Sequence, residues 1–102
     1  MYFIYILYSL TSDVYYVGYT NDYVRRFKEH NEQDSFNTYT SKHRPWVLKA
    51  AFECSTIEKE AMRIEKFIKK QKSRKLLELL CRITFIPSGV LVQLVRVPDI
   101  RD

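Results

Sequence analysis

The chain has 102 residues, seventeen Lys or Arg against twelve Asp or Glu, and a formal charge of +5, which fits one small basic domain and excludes two. With 46% apolar and 28% charged residues it is neither a disordered chain, a collagen-like repeat nor a disulfide-dense secreted scaffold. Eight of the fifteen aromatic residues are tyrosines, which carry a polar hydroxyl wherever they pack.

Residues 2 to 8, Tyr-Phe-Ile-Tyr-Ile-Leu-Tyr, are β-branched and aromatic, and they lead into turn formers from Ser9 to Asp13. Val14 to Tyr19 resume the same chemistry and stop at Thr20-Asn21-Asp22, so the two runs predict an antiparallel hairpin. Asn21 or Asp22 can cap a helix that continues to about Asn31 through Tyr23, Val24 and Phe27, with Asp22, Arg26 and His30 on one side. Residues 32 to 44 are polar and aperiodic, as in an exposed loop. Trp46 to Glu53 predicts a third strand. Ser55 with Glu58 predicts a capping box, and Ile57, Ala61, Ile64 and Ile68 follow at helical spacing. Ser73 caps a short last helix through Leu80. The expected fold is α+β, a three-stranded antiparallel sheet flanked by helices in the order ββαβαα over residues 1–80. Residues 81–102 are expected to be an extension outside the catalytic core, with room for one more strand near Val90 to Val97. The stretch from Leu91 to Asp99 resembles the peptide obtained when a reading frame runs through a transfer-RNA gene.

No apolar run approaches the roughly 20 residues that span a bilayer, and the first residues are strand-like, so a cytosolic protein without membrane attachment is expected. Cys54 and Cys81 lack zinc-site spacing and read as reduced thiols; His30 and His43 stand far from both, so a metal would want oxygen ligands.

Opposite parity in a hairpin places Tyr5 and Tyr16 on one face as direct or diagonal neighbours. The triplet Phe3-Ile4-Tyr5, the eleven-residue step to Tyr16-Val17-Gly18, and the following Tyr19-Thr20-Asn21-Asp22 and Arg25-Arg26-Phe27-Lys28-Glu29-His30-Asn31 resemble the GIY-YIG nuclease superfamily. Tyr39-Thr40, Arg44-Pro45-Trp46 and Glu60-Ala61-Met62-Arg63-Ile64-Glu65-Lys66 extend the resemblance to its small single-domain branch, over about residues 2 to 80. Phe3 replaces the first motif glycine; the tyrosine carries the chemistry there.

That resemblance implies a nuclease cutting phosphodiesters with one divalent metal, Mg²⁺ or Mn²⁺, on DNA rather than RNA, in repair or recombination. It assigns Tyr5 and Tyr16 as motif tyrosines, Arg26 as the helix arginine, His30 as the helix histidine and Glu65 as the metal ligand. The residue types suit the chemistry: a phenol can serve as a base when cations stabilise its phenolate, and an arginine fork suits phosphate oxygens. Glu65 borders the apolar stripe, where it either faces a cleft or pairs with a neighbouring lysine. His30 is either a solvated residue near a helix end or an auxiliary base, and His43 is a loop residue in reach of a backbone phosphate.

From Arg63 to Lys75 there are seven cations, including Lys66, Lys69, Lys70 and Lys72, against the single acid Glu65. Such a run repels itself unless a polyanion screens it, so it predicts a nucleic-acid track, with Lys42 and His43 adding to it. Six phosphate contacts would give a salt slope of roughly −5 on duplex DNA. No zinc finger or helix-turn-helix is evident, so specificity is expected to be weak or directed by nucleic-acid structure. The alternatives are a non-catalytic nucleic-acid-binding module and a subunit active only within a larger repair assembly. Oligomeric state is not legible in the sequence.

Overall fold

The computed structural model describes residues 1–33 and 38–98. Residues 34–37 of the expected loop and 99–102 of the tail lie outside the described residues. Strands β1 (Tyr2–Ser9) and β2 (Tyr15–Thr20) form the expected antiparallel hairpin. Its turn closes through Ser9 N–H to the Val14 carbonyl (2.8 Å) and Asp13 N–H to the Ser9 carbonyl (3.0 Å), with Asp13 in the left-handed region at φ 56°. An aspartate tolerates that conformation because its short polar side chain bonds locally; here its carboxylate accepts from the Tyr8 hydroxyl at 2.6 Å.

Helix α1 (Tyr23–Glu32) starts on Asp22, whose side chain accepts the Arg25 N–H at 3.0 Å. Its C-terminal carbonyls are covered by Arg44, which donates to the His30 and Gln33 carbonyls, both at 2.7 Å. The aperiodic segment corrects one expectation: Thr38–Lys42 forms a short helix, α2, with Thr40 buried. Long-range bonds hold it, the Trp46 indole N–H donating to the Thr40 carbonyl at 2.8 Å, and these have no local sequence signature.

Strand β3 (Trp46–Ser55) pairs antiparallel with β1, and the side chain of Asn31 brackets the Trp46 backbone at 2.8 and 3.0 Å, fixing α1 to the start of this strand. Helix α3 (Glu58–Lys70) carries Ala61, Ile64 and Ile68 of the predicted stripe, all buried, while Ile57, expected to begin it, lies at the N-cap and is exposed. The capping box does not form. Ser55 ends β3 and accepts from the Ile57 N–H instead, and Ile57 at the N-cap offers no side-chain bond. Helix α4 (Arg74–Cys81) begins as expected on Ser73, which accepts the Leu76 N–H at 3.0 Å.

The sheet has four strands rather than three, in the order β2-β1-β3-β4, all antiparallel. Strand β4 (Val95–Arg96) pairs with Phe52 and Glu53, and Val97 N–H reaches the Ala51 carbonyl at 2.8 Å. The residues after α4 belong to the same packed body: Leu91 and Leu94 are buried with Phe52, Cys54 and Ile64. The Arg96 guanidinium covers the Leu80 and Cys81 carbonyls at the end of α4, at 3.0 and 3.2 Å.

Strand alternation divides the core. Ile4, Ile6, Val17 and Phe52 face α3, α4 and the tail, while Tyr5, Leu7, Ala51 and Trp46 face α1 through Tyr23 and Phe27. Strand β2 is therefore an edge strand with helices on both sides of it. Cys54 and Cys81 are buried and are not joined in a disulfide.

Candidate active site

The hairpin register sets the two motif tyrosines. Tyr5 lies opposite Gly18 and Tyr16 opposite Leu7, so the tyrosines are diagonal neighbours on the α1 face with ring centroids 6.4 Å apart. Gly18 serves space, not backbone freedom. A Cβ built there would stand 2.5 Å from Tyr5 Cζ, so the ring lies directly over the glycine backbone.

His30 closes the site from α1. It is 1% exposed, with Nε2 2.8 Å from the Tyr5 hydroxyl oxygen and Nδ1 2.9 Å from Thr40 Oγ1. Burial, then the charges of Arg26 and Arg44, pull its pKa down to about 4, so the ring is neutral at pH 7. Burial also pushes the Tyr5 phenol well above its ordinary range, reinforced by Tyr16, with Arg26 acting in the opposite direction. Tyr5 and Thr40 each pair with one ring nitrogen, so the neutral ring is satisfied on both sides in either tautomer. His30 is thus buried rather than solvated, and it contacts Tyr5, which lines the cleft.

Arg26, one turn before His30, lines the cleft with its side chain about one third exposed and its guanidinium 3.7 Å from Glu29. Arg25 lines it too, held by Glu29 at 3.1 Å and Asp22 at 3.9 Å. From the other face of the sheet, α3 contributes Glu65, whose carboxylate is 3.5 Å from Lys69. Both readings open for Glu65 in the sequence therefore hold at once: it pairs with a lysine and it faces a cleft. One turn-pair earlier on α3, Glu58 accepts from the Tyr19 hydroxyl at 3.1 Å. These groups enclose a polar cleft of about 410 Å³ that wraps the β2 edge and brings Tyr5, Tyr16, Arg26 and Glu65 together.

A family model described as the GIY-YIG catalytic domain matches residues 1–77. The chain belongs to the GIY-YIG family. No curated protein matches the chain. A GIY-YIG catalytic domain is a nuclease-type domain, and nucleic acid is its class of partner. Among the described residues, no helix is long and apolar enough to cross a membrane.

Among the described residues of the GIY-YIG chain, no group of three or more His, Cys, Asp or Glu side chains could hold a metal. Magnesium commonly takes only one or two carboxylates and completes its shell with waters and substrate phosphates. Glu65, facing a polar cleft beside an arginine suited to phosphate, fits that requirement.

The basic run does not act as one surface. Arg63 is bound by Glu60 at 2.9 Å and reaches Gln93 of the tail at 3.2 Å, away from the cleft. Arg74 is bound by Asp13 at 2.6 Å and Glu78 at 3.1 Å, fastening α4 to the hairpin turn. Lys69 and Lys72 border a second groove next to the cleft, and Lys66 and Lys70 are exposed on α3. Lys42 is exposed at the end of α2. His43 bonds the Ser12 hydroxyl at 2.8 Å and packs against Tyr39, so it ties the hairpin turn to α2.

Sequence reasoning missed Thr40 as the second partner of His30, Arg25 in the cleft wall, and Glu58 beneath Tyr19. Thr40 and Arg25 stand inside the quoted motif blocks, but nothing at sequence level separates them from their neighbours.

Proposed function

We propose that the protein is a divalent-metal-dependent DNA endonuclease. The observation that supports this reading is the convergence of Tyr5, Tyr16, Arg26 and Glu65 on one polar cleft, from four separate elements. In this reading the phosphate of the substrate lies at Arg26, whose fixed fork of donors meets nonbridging oxygens as negative charge builds on them. Water attacks phosphorus, a new P–O bond forms as the bond to the leaving oxygen breaks, the water's proton passes to a motif tyrosine in its phenolate form, and the leaving oxygen takes up a proton from solvent. Tyr5 is the better placed, because it lines the cleft and its oxygen lies 2.8 Å from His30 Nε2, a ring nitrogen that can hydrogen-bond the phenolate. Burial makes Tyr5 reluctant to ionise, and Arg26 is the protein group that counters this. Tyr16, at the cleft's other wall, positions the water or the leaving oxygen. Glu65 would hold the metal, which supplies positive charge to the phosphate oxygens and eases loss of the proton from water. His30 and Thr40 hold Tyr5 in place behind the reaction.

The test is nicking of supercoiled plasmid and cutting of single-stranded and branched DNA with Mg²⁺, Mn²⁺ or EDTA. Wild type is expected to cut only with metal, and Arg26→Ala or Glu65→Gln to lose about 100-fold or more in rate. Tyr5→Phe is expected to lose cutting while retaining DNA binding. Undiminished cutting by Arg26→Ala and Glu65→Gln would defeat the assigned roles, and binding without any wild-type cutting would make the domain a binding module.

A further inference from the structure

Beside the polar cleft, on the other side of Tyr16, lies a second groove of about 480 Å³. Its floor is apolar, with Val14 from the residue before β2, Ile68 from α3 and Leu77 from α4. Its walls are Tyr16 and Tyr39, whose rings lie 6.3 Å apart at an interplanar angle of 28°, and Tyr39 is 46% exposed. Two lysines stand on its rim: Lys69, 5.4 Å from the Tyr16 ring centroid, and Lys72, at the α3–α4 hinge with φ 45°.

We propose that this groove takes one unpaired nucleobase of a single-stranded DNA segment, next to the phosphate held in the cleft. The proposal rests on the nuclease reading for its substrate class and adds a second subsite to it. Three features select the occupant. The groove adjoins the cleft across the Tyr16 ring, so a strand passing over that residue meets both. Its interior offers apolar and aromatic surface, which suits the faces of a base and offers little to a phosphate. Its rim is cationic, which suits the phosphates on either side of that base and disfavours a purely apolar or acidic occupant. A paired base presents its edge in a groove and keeps its faces stacked, so the subsite discriminates for unpaired nucleotides.

The experiment measures binding of a short single-stranded oligonucleotide by fluorescence anisotropy in EDTA, with the same sequence as duplex and as a series carrying one abasic position at a time. For wild type, one abasic position is expected to cost about tenfold in affinity, the scale of one base–aromatic stack, with the others near neutral. In Tyr39→Ala, an exposed substitution, that same abasic penalty is expected to fall below about twofold, because the contact is already gone. Lys72→Ala is expected to weaken all oligonucleotides alike and keep the abasic penalty. If no position carries a penalty in wild type, or if the penalty persists unchanged in Tyr39→Ala, the subsite is refuted. The nuclease reading is scored separately. A position-specific penalty without any cutting retains the subsite and overturns the enzyme; cutting without a penalty does the reverse.

Discussion

Acid should destabilise the fold through His30, and the size of the effect follows from its surroundings. The ring is 1% exposed, hydrogen-bonded at both nitrogens, and faces Arg26 and Arg44, so the folded chain keeps it neutral down to about pH 4. In the unfolded chain the same group titrates near 6.5. Its folded pKa is depressed, so between about 6.5 and 4 the unfolded state binds a proton that the folded state refuses. Stability is complete above that window, falls as pH drops through it, and levels off below about 4. The interval from 6.5 to about 4 is worth about 3 kcal/mol in total, at ~1.4 kcal/mol per pH unit.

Urea unfolding at a series of pH values from 7.5 to 4, for wild type beside His30→Gln, measures it. Asp13 and Glu60, whose carboxyls are held low by Arg74 and Arg63, also lose stabilisation toward the acid end, but they do so in both proteins. The difference between the two curves isolates the histidine. His30→Gln is expected to be less stable at pH 7.5, through loss of the Tyr5 and Thr40 bonds, and to close that gap as pH falls. Curves that run parallel through the window would mean that His30 is not held neutral in the folded chain.

Three more outcomes are expected. Gly18→Ala forces the Tyr5 ring off the β2 backbone; it should cost about 1–3 kcal/mol in urea unfolding and reduce cutting to the level of Tyr5→Phe. Truncation after Leu80 removes buried Leu91 and Leu94 and should cost about 3–6 kcal/mol, read as a lower thermal midpoint; an unchanged midpoint would show that the tail adds nothing to the core. Duplex binding should show a salt slope of roughly −3 to −4 rather than −5, because Arg63, Lys69 and Arg74 are already engaged by carboxylates, leaving Lys66, Lys70, Lys72 and Lys75 as the principal phosphate contacts.

Local pattern carried much of the fold. The hairpin, the Asp22 and Ser73 caps and the apolar stripe of α3 depend on residues within a turn or two of one another, and each formed at the expected place. The departures all depend on distant partners. Helix α2 has no periodicity of its own and is held through Thr40 by Trp46 and His30. The capping box failed because Ser55 was drawn into β3 and Glu58 was taken by Tyr19. Strand β4 falls within the Val90 to Val97 stretch that left room for a strand, but its two residues set no pattern that fixes its partner, and Arg96 secures it with bonds across to α4. The site divides in the same way. Parity gave the Tyr5–Tyr16 pair and helical spacing gave Arg26 beside His30, whereas the burial of His30 depends on Tyr5, twenty-five residues away.

The tyrosine excess follows from the position of β2. An edge strand flanked by helices on both faces has half-wet side chains on both, and a phenol places an apolar ring against the sheet while its hydroxyl reaches a polar partner. Tyr19 does this with Glu58 on the α3 face, and Tyr8, next to β2 on β1, does it with Asp13. Tyr5 does it with His30 on the α1 face. Phenylalanine would fill the same space and lose each of those hydrogen bonds. Tyr16 differs from the others because both the polar cleft and the apolar groove end on its ring. Its ring and its hydroxyl therefore have separable effects: Tyr16→Phe keeps the wall between the two and removes only the polar tip, while Tyr16→Ala merges them. A strand threaded past this residue would have its phosphate and its neighbouring base registered by one side chain, which couples where the chain is cut to whether the adjacent base is free.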